Sequence, residues 1–239
     1  DLASVEEIWS TAPDGVKSQS WIMRPANFDP AKKYPMILEI HGGPHTNYGA
    51  RFSAEMQAYA AAGYVVLYSN PRGSTSYGDK FANLIDKAYP GNDYDDLIAA
   101  VDATIAKGYV DPTRLFVTGG SGGGVLTAWI VGNTNRFRAA VVAKPVINWT
   151  SFVLTADNAA YFGRYWFGKN PWEAGAQAGL QARGVGLVGV HGGRHEIAGG
   201  HAVAVAHEVD RAVARPLELE GLHDGRERGR RSGFGGGEG

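Results

Sequence analysis

The 239-residue chain contains no cysteine. That excludes a disulfide framework, a thiolate metal site and a cysteine nucleophile, so covalent chemistry here must use another side chain. Charge of either sign is not in excess: the formal net charge is -1, and no long basic stretch precedes the C-terminal end. Neither nucleic acid nor an anionic membrane is therefore an expected partner, whereas a small neutral substrate or a peptide is. No apolar run approaches the ~20 residues of a membrane helix, and "DLASVEEIWS" at the start lacks the basic-then-apolar layout of a secretory signal. The chain reads as soluble, with a cytoplasmic setting as the expectation. No cofactor is implied.

Another scarcity divides the chain near residue 173. Beyond Glu173 there is no Lys, Asn, Thr, Tyr or Trp, and Phe234 is the only aromatic, while the last 66 residues hold 17 of the 34 glycines. Such a tail has little large apolar surface to set against the chain entropy of its glycines. We expect residues 1–173 to form a folded domain and 174–239 to be a Gly/Arg/Ala-rich tail, poorly ordered or read from a shifted frame. The composition supports the latter: residues with G/C-rich codons abound and those with A/T-rich codons nearly vanish.

What is present before residue 173 alternates strand and helix signals. Residues 18–24, 34–40, 63–69, 114–119 and 138–144 read as strands. Residues 53–63, 92–108 and 123–133 read as helices, the second with acidic residues in its first turn and lysine then glycine at its end. Alternation of this kind predicts an α/β fold with a mostly parallel sheet covered by helices on both faces.

"VTGGSGGGVLT" (117–127) places Ser121 between the last residues of a strand and the start of an apolar helix, and Gly119, Ser121 and Gly123 fit G-x-S-x-G. Turning from strand to helix in so few residues strains the serine backbone, and glycine two positions either way removes side chains that would collide with neighbouring elements. Unpaired N–H groups at the helix start suit a developing oxyanion, Gly122 N–H above all. A phosphate loop would need G-K-[ST], and Val125 and Leu126 stand where the lysine belongs; a dinucleotide fingerprint would put Val125 at its third glycine. A glycine-rich turn with a serine cap remains the plain alternative. "LEIHGGPH" (38–45) closes an earlier strand and offers Gly43 N–H as a second oxyanion donor. His41 and His45 precede the serine, so they read as hydrogen-bonded, loop-shaping residues.

Together "HGGPH" (41–45), "NPRGSTSYG" (70–78), residues 93–124, "NWTSF" (148–152) and "NPWE" (170–173) resemble the catalytic domain of the prolyl oligopeptidase family of serine peptidases, in its acylaminoacyl-peptidase and dipeptidyl-aminopeptidase branch. The resemblance covers about Val5 to Glu173. It implies that residues 1–173 are a partial catalytic domain of the α/β-hydrolase fold, with Ser121 acylated and the amides of Gly43 and Gly122 forming the oxyanion hole. It implies a peptide substrate bordered by aromatics such as Trp149, Phe152, Tyr161, Tyr165 and Trp166, for which core packing is the alternative. It also implies an N-terminal β-propeller, which we do not expect within these 239 residues. Where the family usually carries tyrosine after the serine, this chain has Gly122. The family acid and histidine should follow Ser121, but no matching stretch is found: Asp210 with His223 preserves the order alone. His191 and His195 sit four apart, yet the glycines between them argue against a helix that would align them on a metal, so no metal site is expected.

Overall fold

In the computed structural model, residues 2–170 and 172–173 are described, together with the backbone of residues 195–197 and 201–206. The chain divides into a unit over Asp1–Glu208 and a second over Val209–Gly239, and every described element lies in the first. Eight strands form one sheet: β1 (Val5–Thr11), β2 (Lys17–Met23), β3 (Tyr34–Ile40), β4 (Val65–Asn70), β5 (Val110–Gly120), β6 (Ala139–Ala143), β7 (His195–Ile197) and β8 (His201–Ala206). Their order is β1-β2-β4-β3-β5-β6-β8-β7. From β4 to β8 neighbours run parallel; β1, β2 and β7 are antiparallel to theirs.

Strand β4 carries the sequence VVLYSN, buried at every position, because it pairs on both edges and is covered on both faces. Its side chains alternate between two cores. Val65 and Leu67 join the larger one with residues of α3 (Asp93–Ile105) and α4 (Gly122–Asn133), while Val66 and Tyr68 join a smaller one with Met56 and Ala60 of α1 (Ala54–Ala61). Helix α1 starts where Ser53 Oγ accepts the Met56 N–H at 3.3 Å. Helix α3 opens on Asp93, Asp95 and Asp96, the signs its dipole favours. A short α2 (Asp79–Ala82) precedes α3, and α5 (Trp149–Thr155) and α6 (Ala159–Phe162), followed by a wide turn over Gly163–Phe167, come after β6.

The anticipated strands and long helices are all found, with ends shifted by a few residues. Strands β7 and β8, within residues 174–239, were not anticipated, and neither was strand β1. It is an edge strand, VEEIWST, in which Ile8 and Ser10 are the buried positions, so it carries almost no apolar periodicity. The fold is the α/β-hydrolase fold: β5 lies between β3 and β6, and the chain leaves it at Gly120 to enter α4 through Ser121. In such sheets ligands bind outside the carboxyl ends of the strands.

Candidate active site

Ser121 is the residue between β5 and α4. It is exposed, with φ 58° and ψ -117°, a left-handed backbone that a residue with a side chain rarely adopts. Its N–H donates to the Ala143 carbonyl at the end of β6, at 2.9 Å, and its carbonyl accepts from Val125 N–H at 3.0 Å. The strained turn is thereby tied to the next strand and to its own helix.

The flanking glycines are there because backbone fills the space a side chain would need. A Cβ on Gly119 would stand 2.6 Å from the Gly123 carbonyl oxygen and 2.8 Å from that of Ile40, and one on Gly123 would stand 2.0 Å from the Ile40 oxygen. All three distances are far inside contact, and neither neighbour is a side chain that could turn aside. Gly122 has the same reason: a Cβ would meet Gly43 at 2.7 Å from its oxygen and 3.0 Å from its nitrogen.

That segment, residues 41–46, leaves β3 beside Ser121. A Cβ on Gly42 would lie 3.5 Å from Ser121 Cβ and 4.0 Å from its Oγ. Gly43 is exposed and has φ 114°, a glycine conformation. Among the described residues no hydrogen-bond acceptor engages the N–H of Gly43 or of Gly122. Two free amides therefore stand next to one exposed hydroxyl, at the positive end of α4.

Side chains hold the 41–46 loop. His41 is buried, its Nδ1 2.7 Å from the Gly42 carbonyl and its Nε2 2.9 Å from Ser74 Oγ. Burial lowers its pKa, which favours the neutral ring. His45 Nδ1 donates to the Gly73 carbonyl at 3.0 Å, and Thr75 N–H to the Thr46 carbonyl at 2.9 Å. Both histidines are thus bonded into the loops, as their reading as loop-shaping residues requires. The 70–78 loop is itself anchored by Arg72, whose guanidinium bonds Asp96 of α3 at 2.8 and 2.9 Å and Asp14 at 2.7 and 3.0 Å.

Tyr89 was not singled out in the sequence. Its hydroxyl donates to the Gly122 carbonyl at 2.9 Å, and its buried ring packs against Trp149 and Trp166. "YPG" at 89–91 signals a turn, and nothing local says that the tyrosine reaches the elbow 33 positions on.

The sequence model of the prolyl oligopeptidase family matches residues 50–182. This chain belongs to that family. The uncharacterized peptidase YuxL of Bacillus subtilis (strain 168) is 50% identical over 158 residues, 66% of this chain and 24% of its own. Dipeptidyl-peptidase 5 of Schizosaccharomyces pombe is 34% identical over 175 residues, 71% of this chain and 26% of its own. An acylaminoacyl peptidase solved in complex with Z-Gly-Gly-Phe-chloromethyl ketone superposes with a TM-score of 0.71 at 26% identity, over 77% of this chain and 29% of that one. The chain spans about a quarter of the length of these two curated relatives.

Of the residues picked out for this prolyl oligopeptidase family member, Ser121, Gly43 and Gly122 come together. Asp210 and His223 lie outside the described residues. The aromatics separate by burial. Trp149 and Trp166 are core residues at 1% and 4% exposure, Phe152 and Tyr165 are half-buried, and Tyr161 is exposed and stacks on Tyr165 at 5.4 Å. Tyr165 also meets His45 edge-on at 5.4 Å, which brings this aromatic group to the 41–46 loop. Among the described residues no group of acidic or histidine side chains could hold a metal ion, and no helix is long and apolar enough to cross a membrane.

Proposed function

We propose that this chain is the hydrolase portion of a serine peptidase that cleaves short peptides through an acyl-enzyme on Ser121. The observation that carries the reading is the exposed Ser121 hydroxyl, held at φ 58° beside the unengaged amides of Gly43 and Gly122. The hydroxyl attacks the scissile carbonyl, the two amides stabilise the oxyanion, the amine leaves, and water hydrolyses the ester. Tyr161, Tyr165 and Phe152 border the substrate side chain. Peptide substrates fit the names of the similar proteins, a dipeptidyl-peptidase and an acylaminoacyl peptidase. Access by peptide length is assigned to the remainder of a longer protein, and the setting to the cytoplasm, a point that fractionation of cells decides.

The general base is the open role. Both ring nitrogens of His41 are engaged, so the proton of Ser121 goes elsewhere, with Asp210 and His223 as the ordered candidates. The observation that no acid and base stand in recognisable stretches after Ser121 favours a second reading, a non-catalytic remnant, and a shifted frame after residue 173 would produce it. The coding DNA decides that point: an alternative frame encoding an acid loop and a histidine loop supports it, and the lack of one sinks it.

A fluorophosphonate probe tests the main reading. Labelling of Ser121, lost in Ser121→Ala, supports it; an unlabelled folded protein overturns it in favour of the remnant. Matched p-nitroanilide and p-nitrophenyl ester substrates then separate a peptidase from an esterase of the same fold.

A further inference from the structure

We propose that His41 is a positioning residue for the oxyanion hole, acting by holding the peptide plane between Gly42 and Gly43. The inference rests on the reading of Ser121 as nucleophile and Gly43 N–H as an oxyanion donor. A carbonyl oxygen only accepts, so the 2.7 Å contact between His41 Nδ1 and the Gly42 oxygen puts a hydrogen on Nδ1. The peptide unit is planar, and Gly42 C=O and Gly43 N–H point to opposite sides of it. Fixing the oxygen against the His41 ring therefore aims the N–H away from the ring, and Gly43 N lies 3.0 Å from the point a Gly122 Cβ would occupy, beside the second donor.

An anchor is needed because the peptide joins two glycines. With Gly43 at φ 114° and no Cβ on either side, no side chain of the unit's own opposes its rotation by half a turn. The rotated unit would present an oxygen, not a hydrogen, toward the forming oxyanion, turning a stabilising dipole into a repulsive one. His41 can resist this because it is itself immobile. It is 8% exposed, its ring meets Tyr48 edge-on at 5.2 Å, and Nε2 sits 2.9 Å from Ser74 Oγ. The Ser74 hydroxyl has one hydrogen to share between Nε2 and the Pro71 carbonyl, 2.7 Å away. With the ring neutral and its hydrogen on Nδ1, Nε2 is the acceptor, so the Ser74 hydrogen goes to Nε2 rather than to Pro71.

Two isosteric substitutions in the full chain separate this role from general loop support. In His41→Asn the amide nitrogen occupies the place of Nδ1 and can still donate to Gly42, while the bond to Ser74 is lost. In His41→Gln the amide reaches Ser74 and leaves Gly42 unheld. The readouts are the rate of Ser121 labelling by a fluorophosphonate, kcat and KM on a p-nitrophenyl ester, and thermal stability. His41→Gln should lower labelling and kcat by about 10²-fold or more with KM little changed, the size expected for one lost oxyanion donor. His41→Asn should stay within about tenfold of the parent, since its donor is kept. Equal losses in the two variants, or the greater loss in His41→Asn, overturn the proposal. Should both fail to fold, Ser74→Ala decides, because it leaves the Gly42 bond in place: a loss as large as that of a whole oxyanion donor, about 10²-fold, overturns it too. A parent protein that does not label at all defeats the functional reading and this one with it, whereas a labelled parent with equal variants defeats this one alone.

Discussion

The two backbone segments that meet at Ser121 are held in opposite ways. The elbow, residues 119–124, is shaped by side chains that are missing: Gly119, Gly122 and Gly123 let carbonyls of β3 and of the 41–46 loop approach to distances no Cβ would tolerate. The 41–46 loop is shaped by side chains that are present, His41, His45 and, at one remove, Ser74 and Arg72. Steric fixation is local and unforgiving, since a methyl group has nowhere to go. Fixation by hydrogen bonds is distributed, so the loss of one bond weakens the loop without collapsing it.

The largest effect should come from the elbow. Gly123→Ala places a methyl 2.0 Å from the Ile40 oxygen, in the middle of the sheet, where β3 and β5 cannot separate without breaking their ladder. The expected outcome is a protein that fails to fold, seen as loss of soluble yield or of cooperative unfolding. A well-folded Gly123→Ala protein would show that the elbow is not sterically fixed.

Next comes the anchor of the opposite segment. Arg72 and Asp96 are both buried, and Arg72→Met leaves the Asp96 carboxylate without its partner. Breaking a buried pair on one side costs about 3–5 kcal/mol, which urea unfolding at neutral pH would read. If the 41–46 loop depends on this anchor, the surviving folded protein should also label more slowly at Ser121.

A smaller effect, dependent on pH, arises in the strand that feeds the loop. Glu39, two residues before His41, is buried and accepts from the Tyr48 hydroxyl at 3.4 Å, and burial, with the Glu55 charge adding to it, pushes its pKa from 4.5 up to about 8. Below pH 4.5 the carboxyl is protonated in both folded and unfolded chains. As pH rises from 4.5 toward 8 the unfolded chain releases this proton while the folded one retains it, so stability falls across that window and levels off above it. Glu39→Gln should flatten this slope, its melting-temperature advantage over the parent growing from pH 5 to pH 8. An advantage that does not change with pH would contradict the assignment.

The same contrast explains what could be read in the sequence. The elbow was legible, because G-x-S-x-G between an apolar strand and an apolar helix encodes its own steric reason within a few residues. Strands such as Tyr34–Ile40 and Val65–Asn70 were legible from their apolar runs. The hydrogen bonds that hold the other segment were not, since His41 and Ser74 are 33 positions apart and only folding along β3 and β4 brings them together. Burial of Trp149 and Trp166 was equally hidden, for an aromatic has the same composition in a core as at a pocket rim. Strand Val5–Thr11 escaped because an edge strand with one buried apolar side chain leaves almost no periodic trace.

The smallest expected effect is the sharpest comparison of the two modes. Among the described residues two side chains outside 119–124 bond the elbow: Thr127 Oγ1 donates to the Gly123 carbonyl at 2.8 Å from within the same helix, and the Tyr89 hydroxyl donates to the Gly122 carbonyl at 2.9 Å from another part of the chain. Tyr89→Phe removes that bond and keeps the ring, which stays packed on Trp166 at 5.3 Å and Trp149 at 6.3 Å. The cost should be about 1 kcal/mol, the net worth of one hydrogen bond. If the elbow is held by its close-packed backbone, Ser121 labelling should fall no more than a few-fold, because Gly122 is still pressed against Gly43 and Ser121 N–H still bonds Ala143. A fall as deep as that expected for His41→Gln would mean that the elbow, too, relies on a borrowed hydrogen bond, and the division between the two segments would dissolve.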